Sequence, residues 1–441
     1  MWRSDEGVAP YRSLFQLKHP ENPEFETEFI LHTPHIRKEL TIMKKVRLGI
    51  LGMGNMGSGH LENVLNDKCP EVEITAVCDL NPARLEFALG RLEAHRAAKP
   101  DNGYPDIATF ADGDEMFASG LIDAVIIAIP HYGHPDYAIK AMKAGLHVMC
   151  EKPAGVYTLQ VREMMAEADK HPELKFGMMF NQRTNHIYRK VKEIMDSGEL
   201  GAIRRTSWII TNWYRPQAYY DSGAWRATWS GEGGGVLLNQ CPHNLDLFQW
   251  ICGMPKVVDA KMHFGKWHDI EVEDDVTVYF EYENGATGTF ITTTGDAPGT
   301  NRLEIVCEGG TIITDGGSIT FIKLDTPEPE FSATNKTAFA APRCQRVAVE
   351  TDGQNPQHIG VLNAFAGAIL RDEPLVADGR EGINGLLMSN AMHLSAWTGK
   401  PVTLPFDEEQ YRDLLFEHVK TSRRKEGIES VFSSTEGTYN S

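Results

Sequence analysis

A glycine-rich segment follows the first strongly apolar run of the chain. Gly52, Gly54 and Gly57 fit the pattern GxGxxG, with Asn55 and Met56 between the last two glycines. The first glycine of such a segment allows a tight turn, the second lets a pyrophosphate approach the backbone, and the third lets a helix pack on the strand. Free N–H groups at the start of that helix favour phosphate oxygens. The segment therefore predicts a dinucleotide site.

An acidic residue is placed to bind the ribose of that dinucleotide. Asp79 ends the second predicted strand. A carboxylate at this position accepts hydrogen bonds from both ribose hydroxyls and repels a 2′-phosphate. NAD is therefore predicted as the cofactor in preference to NADP, although Arg84 is close enough in sequence to weaken that preference.

Two more groups of polar residues follow later apolar runs. Pro130, His131 and His134 come after the run 124–129, and Glu151 and Lys152 come after the run 147–150. A lysine at the carboxyl end of a parallel strand can exchange a proton with a hydroxyl whose carbon gives or takes a hydride. The two histidines lack further residues at the spacing of a closed zinc site, so we predict a turn beside the nicotinamide and no metal.

The apolar pattern divides the chain into regions of different texture. Strands and helices alternate from residue 46, which predicts a parallel sheet covered on both faces. Residues 257–323 alternate like antiparallel strands, residues 324–356 are polar and loop-like, and helices are expected over 358–370 and 382–398. We predict an α/β protein with an extension at 1–43, a dinucleotide-binding domain at 44–170 and a substrate domain at 171–441. The extension is either a mis-assigned start before Met43 or an arm that packs on a neighbouring subunit.

Charge and cysteine content exclude several classes of protein. The 441 residues carry a formal net charge of −18, which makes nucleic acid a poor candidate partner. No apolar run approaches the length of a membrane span, and no secretory signal is evident. Seven cysteines are scattered without a CxxC pair, which favours reduced core residues and a cytoplasmic location.

The order of the motifs resembles the glucose–fructose oxidoreductase, inositol dehydrogenase and rhizopine-catabolism family (Gfo/Idh/MocA). Each motif alone is modest, but their order and spacing over about residues 45–405 are specific. The matching segments are the glycine fingerprint, Pro130 to His134, Glu151-Lys152-Pro153, 196–201, Trp225-Arg226, Gly233 to Gly235, His243 with Asp246, 379–382 and 399–402.

The resemblance implies a Rossmann domain followed by an α/β domain with a large, mainly antiparallel open sheet that commonly builds homodimers or homotetramers. The active site would lie between the domains. Lys152 would be the catalytic lysine and His243 the acid/base histidine. Further implied contacts to cofactor or substrate come from Asn181, Arg183, Trp225 and Arg226. For Arg226 an ordinary surface ion pair is an equal alternative.

One position departs from the family pattern. Many relatives have an aspartate four residues before the histidine, one helical turn away, whereas this chain has Asn239. Asparagine can orient an imidazole but does not stabilise an imidazolium as a carboxylate does. We therefore expect His243 to be the weaker base and Lys152 the main proton-transfer group.

Three functions are compatible with these residues. The first is an NAD-dependent oxidoreductase acting on a hydroxyl-bearing carbon of a sugar, cyclic polyol or glycoside. The second is a redox-neutral enzyme that cleaves or epimerises a glycoside, and the third is a catalytically silent sugar and nucleotide sensor. Retention of Lys152 and His243 argues against the sensor. An aromatic cluster within 208–229 fits either sugar stacking or a rigid loop at a subunit interface.

Overall fold

The computed structural model describes residues 45–423, which belong to one compact unit. The predicted extension 1–43 lies outside the described residues. Two sheets organise this part of the chain, one of six strands and one of nine.

The first sheet is parallel throughout, with strand order 3-2-1-4-5-6. Its central strands are apolar at nearly every position because helices cover both faces. The order reverses between the first and fourth strands, and ligands bind at such a switch point, outside the carboxyl ends of the strands. The elements are β1 Val46–Leu51, α1 Asn55–Leu65, β2 Val72–Cys78, α2 Pro82–Ala98, β3 Ala108–Phe110, α3 Gly113–Ala118, β4 Ala124–Ile127, α4 His134–Lys143, β5 His147–Cys150, α5 Thr158–Ala168 and β6 Phe176–Met178.

The second sheet is antiparallel except for one parallel pair, β10 with β7. Its strand order is 14-13-12-11-7-10-9-8-15. Its elements, with the helices between them, are α6 His186–Asp196, β7 Ile203–Ile210, α7 Gln217–Tyr220, α8 Pro242–Cys252, β8 Val257–Phe264, β9 Glu273–Glu281, β10 Thr287–Thr293, β11 Asn301–Cys307, β12 Gly310–Asp315, β13 Ser318–Leu324, α9 Glu328–Thr334, β14 Cys344–Val347, α10 Gln357–Arg371, α11 Gly382–Thr398, β15 Val402–Thr403 and α12 Glu408–Lys420.

One face of the second sheet is buried under helices. Trp208 of β7 and Phe290 of β10 pack against Phe248 of α8 in a continuous apolar core. Alternate residues of the same strands, such as Ile209 and Ile291, lie on the opposite face and are only half-buried. This asymmetry follows from the two-residue period of a strand, and within residues 45–423 no helix covers the second face of the sheet.

The parallel sheet extends beyond the predicted division at residue 170. Strand β6 follows that position and still pairs with β5. Helix α10 lies far along the chain, yet Val361 and Phe365 share an apolar core with Leu48 of β1. The first sheet is therefore completed by residues from the C-terminal half.

The structure corrects the expectation of loop over 324–356. This segment contains α9 and the short strand β14, which pairs with β13 at the edge of the second sheet. All four residues of β14 are exposed, so the strand has no apolar alternation to reveal it, and its conformation is set by its partner strand. Six of the seven cysteines are buried, whereas Cys344 in this strand is exposed.

Candidate active site

The turn after β1 contains three glycines, which differ in whether the protein itself requires glycine at that position. Gly52 has φ of +94°, and a Cβ there would lie 2.4 Å from the carbonyl oxygen of Ala128. A Cβ on Gly57 would lie 1.9 Å from the carbonyl oxygen of Gly52, so the third glycine lets α1 pack on the turn. A Cβ on Gly54 meets no described atom within 4 Å.

Gly54 is therefore the position that tests the fit of a dinucleotide. Its φ of −69° is open to any residue, so neither backbone conformation nor protein packing requires glycine. The open space beside it is what a pyrophosphate needs for close approach, and it lies at the N-terminus of α1. Asn55 and Met56 form the first turn of that helix. These residues fit the predicted cofactor.

Asp79 lies directly after β2, where the ribose carboxylate was predicted. Its Oδ2 accepts a hydrogen bond of 2.7 Å from the N–H of Met53, and its Oδ1 accepts one of 2.8 Å from the N–H of Asn81. The carboxylate is therefore held against the glycine turn in a fixed orientation. Burial lowers the pKa of Arg84, whereas the nearby Asp79 raises it.

Lys152 and Glu151 follow β5 at the same edge of the sheet. The Nζ of Lys152 donates a 2.9 Å hydrogen bond to the carbonyl oxygen of Asn239, which joins the two halves of the chain. Burial lowers the pKa of the Lys152 amine. Glu151 is buried, and its Oε1 lies 2.7 Å from Nε2 of His60 in α1. Burial opposes ionisation of Glu151, but His60 and His358 outweigh it and hold the pKa near 2.

The turn after β4 brings two histidines into the site. His131 is buried, and its Nδ1 donates a 3.1 Å hydrogen bond to the carbonyl oxygen of Glu232. His134 lies with Nδ1 2.7 Å from the carbonyl of Pro153 and Nε2 2.7 Å from the carbonyl of Ile129. It therefore links the turn that begins at Pro130 to the turn that carries Lys152.

His243 lies in the first turn of α8 and is 2% exposed. Its ring meets that of Phe180 edge-on at 6.4 Å between centroids. Burial lowers the pKa of His243 far below its ordinary value, and the positive charge of Lys152 adds to this effect. A lowered pKa favours the neutral imidazole, which is the form that can accept a proton.

Asn239 lies in the turn before α8, not one helical turn from His243 as the sequence predicted. Pro242 begins the helix, because proline fits only its first turn. The Nδ2 of Asn239 donates a short hydrogen bond to Oε1 of Glu232. The side chain of Asn239 therefore contacts a buried carboxylate.

Glu232 is a residue that the sequence reasoning missed. It is 2% exposed, and its Oε2 accepts a 2.6 Å hydrogen bond from the N–H of Ala227. It directly precedes Gly233 to Gly235, one of the segments on which the family resemblance rests. An acidic residue between two glycines was the signal available in the sequence.

Arg226 is held between aromatic rings beside this carboxylate. Its Nη1 donates a 2.9 Å hydrogen bond to the hydroxyl of Tyr219 and lies 4.0 Å from Oε1 of Glu232. The guanidinium lies over the rings of Tyr219 and Trp225, at 4.6 and 4.7 Å. The Trp225 ring in turn meets His131 at 5.8 Å. Trp225 and Arg226 therefore lie beside His131 and Glu232, and the contacts of Arg226 differ from those of an ordinary surface ion pair.

Asn181 and Arg183 lie in a short 3₁₀ turn after β6, and the structure separates their roles. The Nδ2 of Asn181 donates to Gln357 at 2.5 Å, while its buried Oδ1 has no hydrogen-bond partner among the described residues. Arg183 forms two hydrogen bonds of 2.7 and 2.8 Å to Asp246 and one to Glu381. This buried ion pair satisfies the guanidinium, so the structure does not support the substrate contact predicted for Arg183.

The aromatic cluster is mostly core. Trp208, Tyr220 and Trp229 are at most 5% exposed and pack against other rings of the second sheet and its helices. Of this cluster, Tyr219 and Trp225 flank Arg226. Sugar stacking therefore does not explain the cluster as a whole.

Over residues 45–423, no three His, Cys, Asp or Glu side chains are grouped so that they could hold a metal ion. In the same range, no helix is both long enough and apolar enough to cross a membrane.

Comparisons with known proteins identify the family. Residues 46–178 match the model of the oxidoreductase family with an NAD-binding Rossmann fold, and residues 188–313 match the GFO/IDH/MocA C-terminal domain. The chain belongs to the Gfo/Idh/MocA oxidoreductase family. Its parallel sheet is accordingly an NAD-binding Rossmann domain, which confirms the predicted fold class and cofactor.

Named relatives within the Gfo/Idh/MocA family differ in substrate. The inositol 2-dehydrogenase of Corynebacterium glutamicum is 25% identical over 55% of this chain, and the match spans 65% of that enzyme, less than two thirds of its length. The myo-inositol 2-dehydrogenase of Thermotoga maritima is 24% identical, with 81% of this chain and 98% of the enzyme covered. A 1-carboxy-3-chloro-3,4-dihydroxycyclohexa-1,5-diene dehydrogenase of Comamonas testosteroni is 28% identical over 54% of this chain and 56% of that protein.

A solved structure shares most of the fold. The WlbA dehydrogenase from Bordetella pertussis, in complex with NADH and UDP-GlcNAcA, is 26% identical with a TM-score of 0.67, and the match covers 82% of this chain and 99% of that one.

Proposed function

We propose that this chain is an NAD-dependent dehydrogenase that moves a hydride to or from a hydroxyl-bearing carbon of a sugar, cyclic polyol or glycoside. The observation that carries the proposal is the position of Lys152. Its amine lies at the carboxyl end of β5, at the same sheet edge as the glycine turn, and is held by the Asn239 carbonyl from the second half of the chain. A family match alone leaves the reaction open, because one fold serves several chemistries.

The burial of Lys152 supports a role in proton transfer. Because burial lowers the pKa of the amine, a larger fraction is neutral near pH 7 than for an exposed lysine. In the oxidative direction the neutral amine takes the proton of the substrate hydroxyl, and in the reductive direction the ammonium returns it. Bound NAD would accept the hydride from the same carbon. His243 is buried, its pKa is lowered by burial and by the charge of Lys152, and it is the second candidate base.

The substrate class rests on the names of relatives and on the polar groups of the cleft. Two of the relatives act on inositol, and a structural relative binds a nucleotide sugar. The Oδ1 of Asn181 and the guanidinium of Arg226 are polar groups suited to hydroxyl or carboxylate recognition. Since relatives at similar identity differ in substrate, the compounds tested as substrates must include more than inositols.

The proposal is tested by nicotinamide absorbance at 340 nm, with purified protein, NAD or NADP, and a panel of inositols, free sugars, glycosides and UDP-GlcNAcA. We expect reduction of NAD with one substrate class, falling by at least about 10²-fold in Lys152→Ala, the scale of a positioned acid–base group. Lys140→Ala, which removes an exposed lysine paired with Asp114, is the matched control and should leave the rate unchanged. Product formation without net reduction of NAD would instead favour a redox-neutral enzyme. The absence of both NAD reduction and product would contradict catalysis.

A further inference from the structure

Glu232 occupies an unusual electrostatic position for a residue with no predicted role. Its carboxylate is buried, and both oxygens face donors: the backbone N–H of Ala227 on Oε2 and the amide of Asn239 on Oε1. The guanidinium of Arg226 lies 4.0 Å from Oε1. Burial raises the pKa of Glu232, whereas the guanidinium of Arg226, the N–H of Ala227 and the amide of Asn239 oppose that rise and favour the ionised form.

A short chain of contacts connects this carboxylate to Lys152. The side chain of Asn239 binds Glu232, and the backbone carbonyl of the same residue accepts the hydrogen bond from Lys152 Nζ at 2.9 Å. The backbone carbonyl of Glu232 also accepts from His131 at 3.1 Å. Glu232 is thus fixed by contacts from both sides of the cleft, with one residue between it and the amine.

Charged groups of both signs act on Lys152. Glu151 and Glu232 raise the pKa of the amine, while Arg226 and Arg215 lower it. Of the two carboxylates, Glu151 is already paired with His60. The positive charge of Lys152 lowers the pKa of four histidines, His131, His134, His243 and His358.

We propose that Glu232 is a positioning residue that stabilises the ammonium form of Lys152 through Asn239. The side chain of Asn239 binds the Glu232 carboxylate, and the backbone carbonyl of the same residue binds the amine. The inference rests on the proposed role of Lys152 and makes it specific to this chain.

The test measures the protonation of Lys152 without any substrate. The full-length protein is acetylated with trace acetic anhydride across a pH series, and the labelled fraction of the Lys152 peptide is quantified by mass spectrometry. Only a neutral amine reacts, so the midpoint reports the pKa of Lys152. In Glu232→Gln we expect the midpoint to fall by about one pH unit, the scale of losing a nearby opposite charge. Glu232→Met, which has similar length and no charge, should show the same fall if the amide variant folds poorly.

The double variant Glu232→Gln with Asn239→Asp tests whether the effect is one of charge. It places a carboxylate at the residue whose carbonyl binds Lys152, so the midpoint should move back towards that of the unmodified protein. Glu283→Gln, which neutralises an exposed partner of Lys256, is the control and should leave the midpoint unchanged.

An unchanged midpoint in the neutral Glu232 variants would overturn the proposal, and a midpoint that stays low in the double variant would overturn the assignment of its effect to charge. Because no turnover is needed, a failed dehydrogenase assay and a failed inference remain distinguishable.

Discussion

At the residue scale, the glycines of the turn after β1 separate packing from ligand binding. We expect Gly57→Ala to lower the free energy of unfolding by at least about 2 kcal/mol, since the new Cβ would overlap a backbone oxygen 1.9 Å away. Gly54→Ala should leave the melting temperature unchanged, because no described atom lies within 4 Å of its Cβ, but should raise the Kd for NADH at least about tenfold by filling the phosphate cradle.

Thermal denaturation and NADH fluorescence titration check both outcomes. Gly90→Ala, at an exposed interior position of α2 with no neighbour within 4 Å, should leave the Kd for NADH unchanged and should raise the melting temperature slightly, since alanine favours a helix over glycine. NADH affinity that survives Gly54→Ala would contradict the placement of the pyrophosphate.

We expect the choice between cofactors to depend on a single residue as well. Asp79 presents a fixed negative charge at the end of β2, which repels a 2′-phosphate. In Asp79→Asn we expect the ratio of Kd for NADPH to Kd for NADH to fall at least about tenfold, since the repulsion is removed while an amide oxygen still accepts a hydrogen bond. Fluorescence titration with both nucleotides measures the ratio. The same ratio in Asp106→Asn, at an exposed carboxylate paired with Arg96, should not change.

At the scale of elements, β9 holds the glycine-rich turn that precedes the site. Glu273 at its start accepts hydrogen bonds from the N–H groups of Gly235, at 2.8 Å, and Leu237, at 3.0 Å. The buried carboxylate is 3.0 Å from Nε2 of His393 in α11, and both side chains are fully buried. One strand and one helix therefore fix the turn that carries Glu232 and Asn239.

This pair gives a pH-dependent contribution to stability. Burial opposes the charge of His393, but Glu273 outweighs it and raises the histidine pKa. A raised folded pKa means that the contribution is complete below the unfolded value of about 6.5 and is lost as pH rises through the folded pKa. We expect His393→Gln to lower the free energy of unfolding by about 3 kcal/mol at pH 6, with the difference shrinking at higher pH.

Urea unfolding at a series of pH values measures this difference. His263→Gln, whose partner Asp275 lies 3.3 Å away and whose side chain is 58% exposed, should show little change at any pH. A difference for His393→Gln that is constant across the series would show that its effect is packing alone.

At the scale of the whole molecule, the uncovered face of the second sheet is where we expect a second copy to pack. Ile209 and Ile291 are register partners on β7 and β10, and Tyr279 on β9 is 43% exposed on the same face. Glutamate at both isoleucines would bury charge in such an interface, so Ile209→Glu with Ile291→Glu should shift the protein towards its monomer mass of 49.2 kDa.

Sedimentation velocity measures the mass of each form. Asp101→Lys, on an exposed turn of the first half, should leave the assembly unchanged. A single monomeric species for the unmodified protein would contradict the expected homodimer or homotetramer.

The sequence by itself determined the features that are local to one strand and the turn after it. Gly52, Asp79 and Lys152 follow buried strands, and parallel strands place their carboxyl ends at one edge, so their neighbourhood follows from the alternating pattern alone. The alternating pattern over 257–323 also indicated antiparallel strands, and the resemblance added His243 and the union of those strands in one large sheet.

Only the tertiary structure decided which side chains complete the site. Glu232 reaches Lys152 through Asn239, Arg183 is bound by Asp246, and Phe365 of α10 packs on the first sheet. These contacts join segments far apart in the chain. Side-chain periodicity records whether a residue is buried, but it does not record which distant partner it meets, because that depends on how the two sheets and their helices pack together.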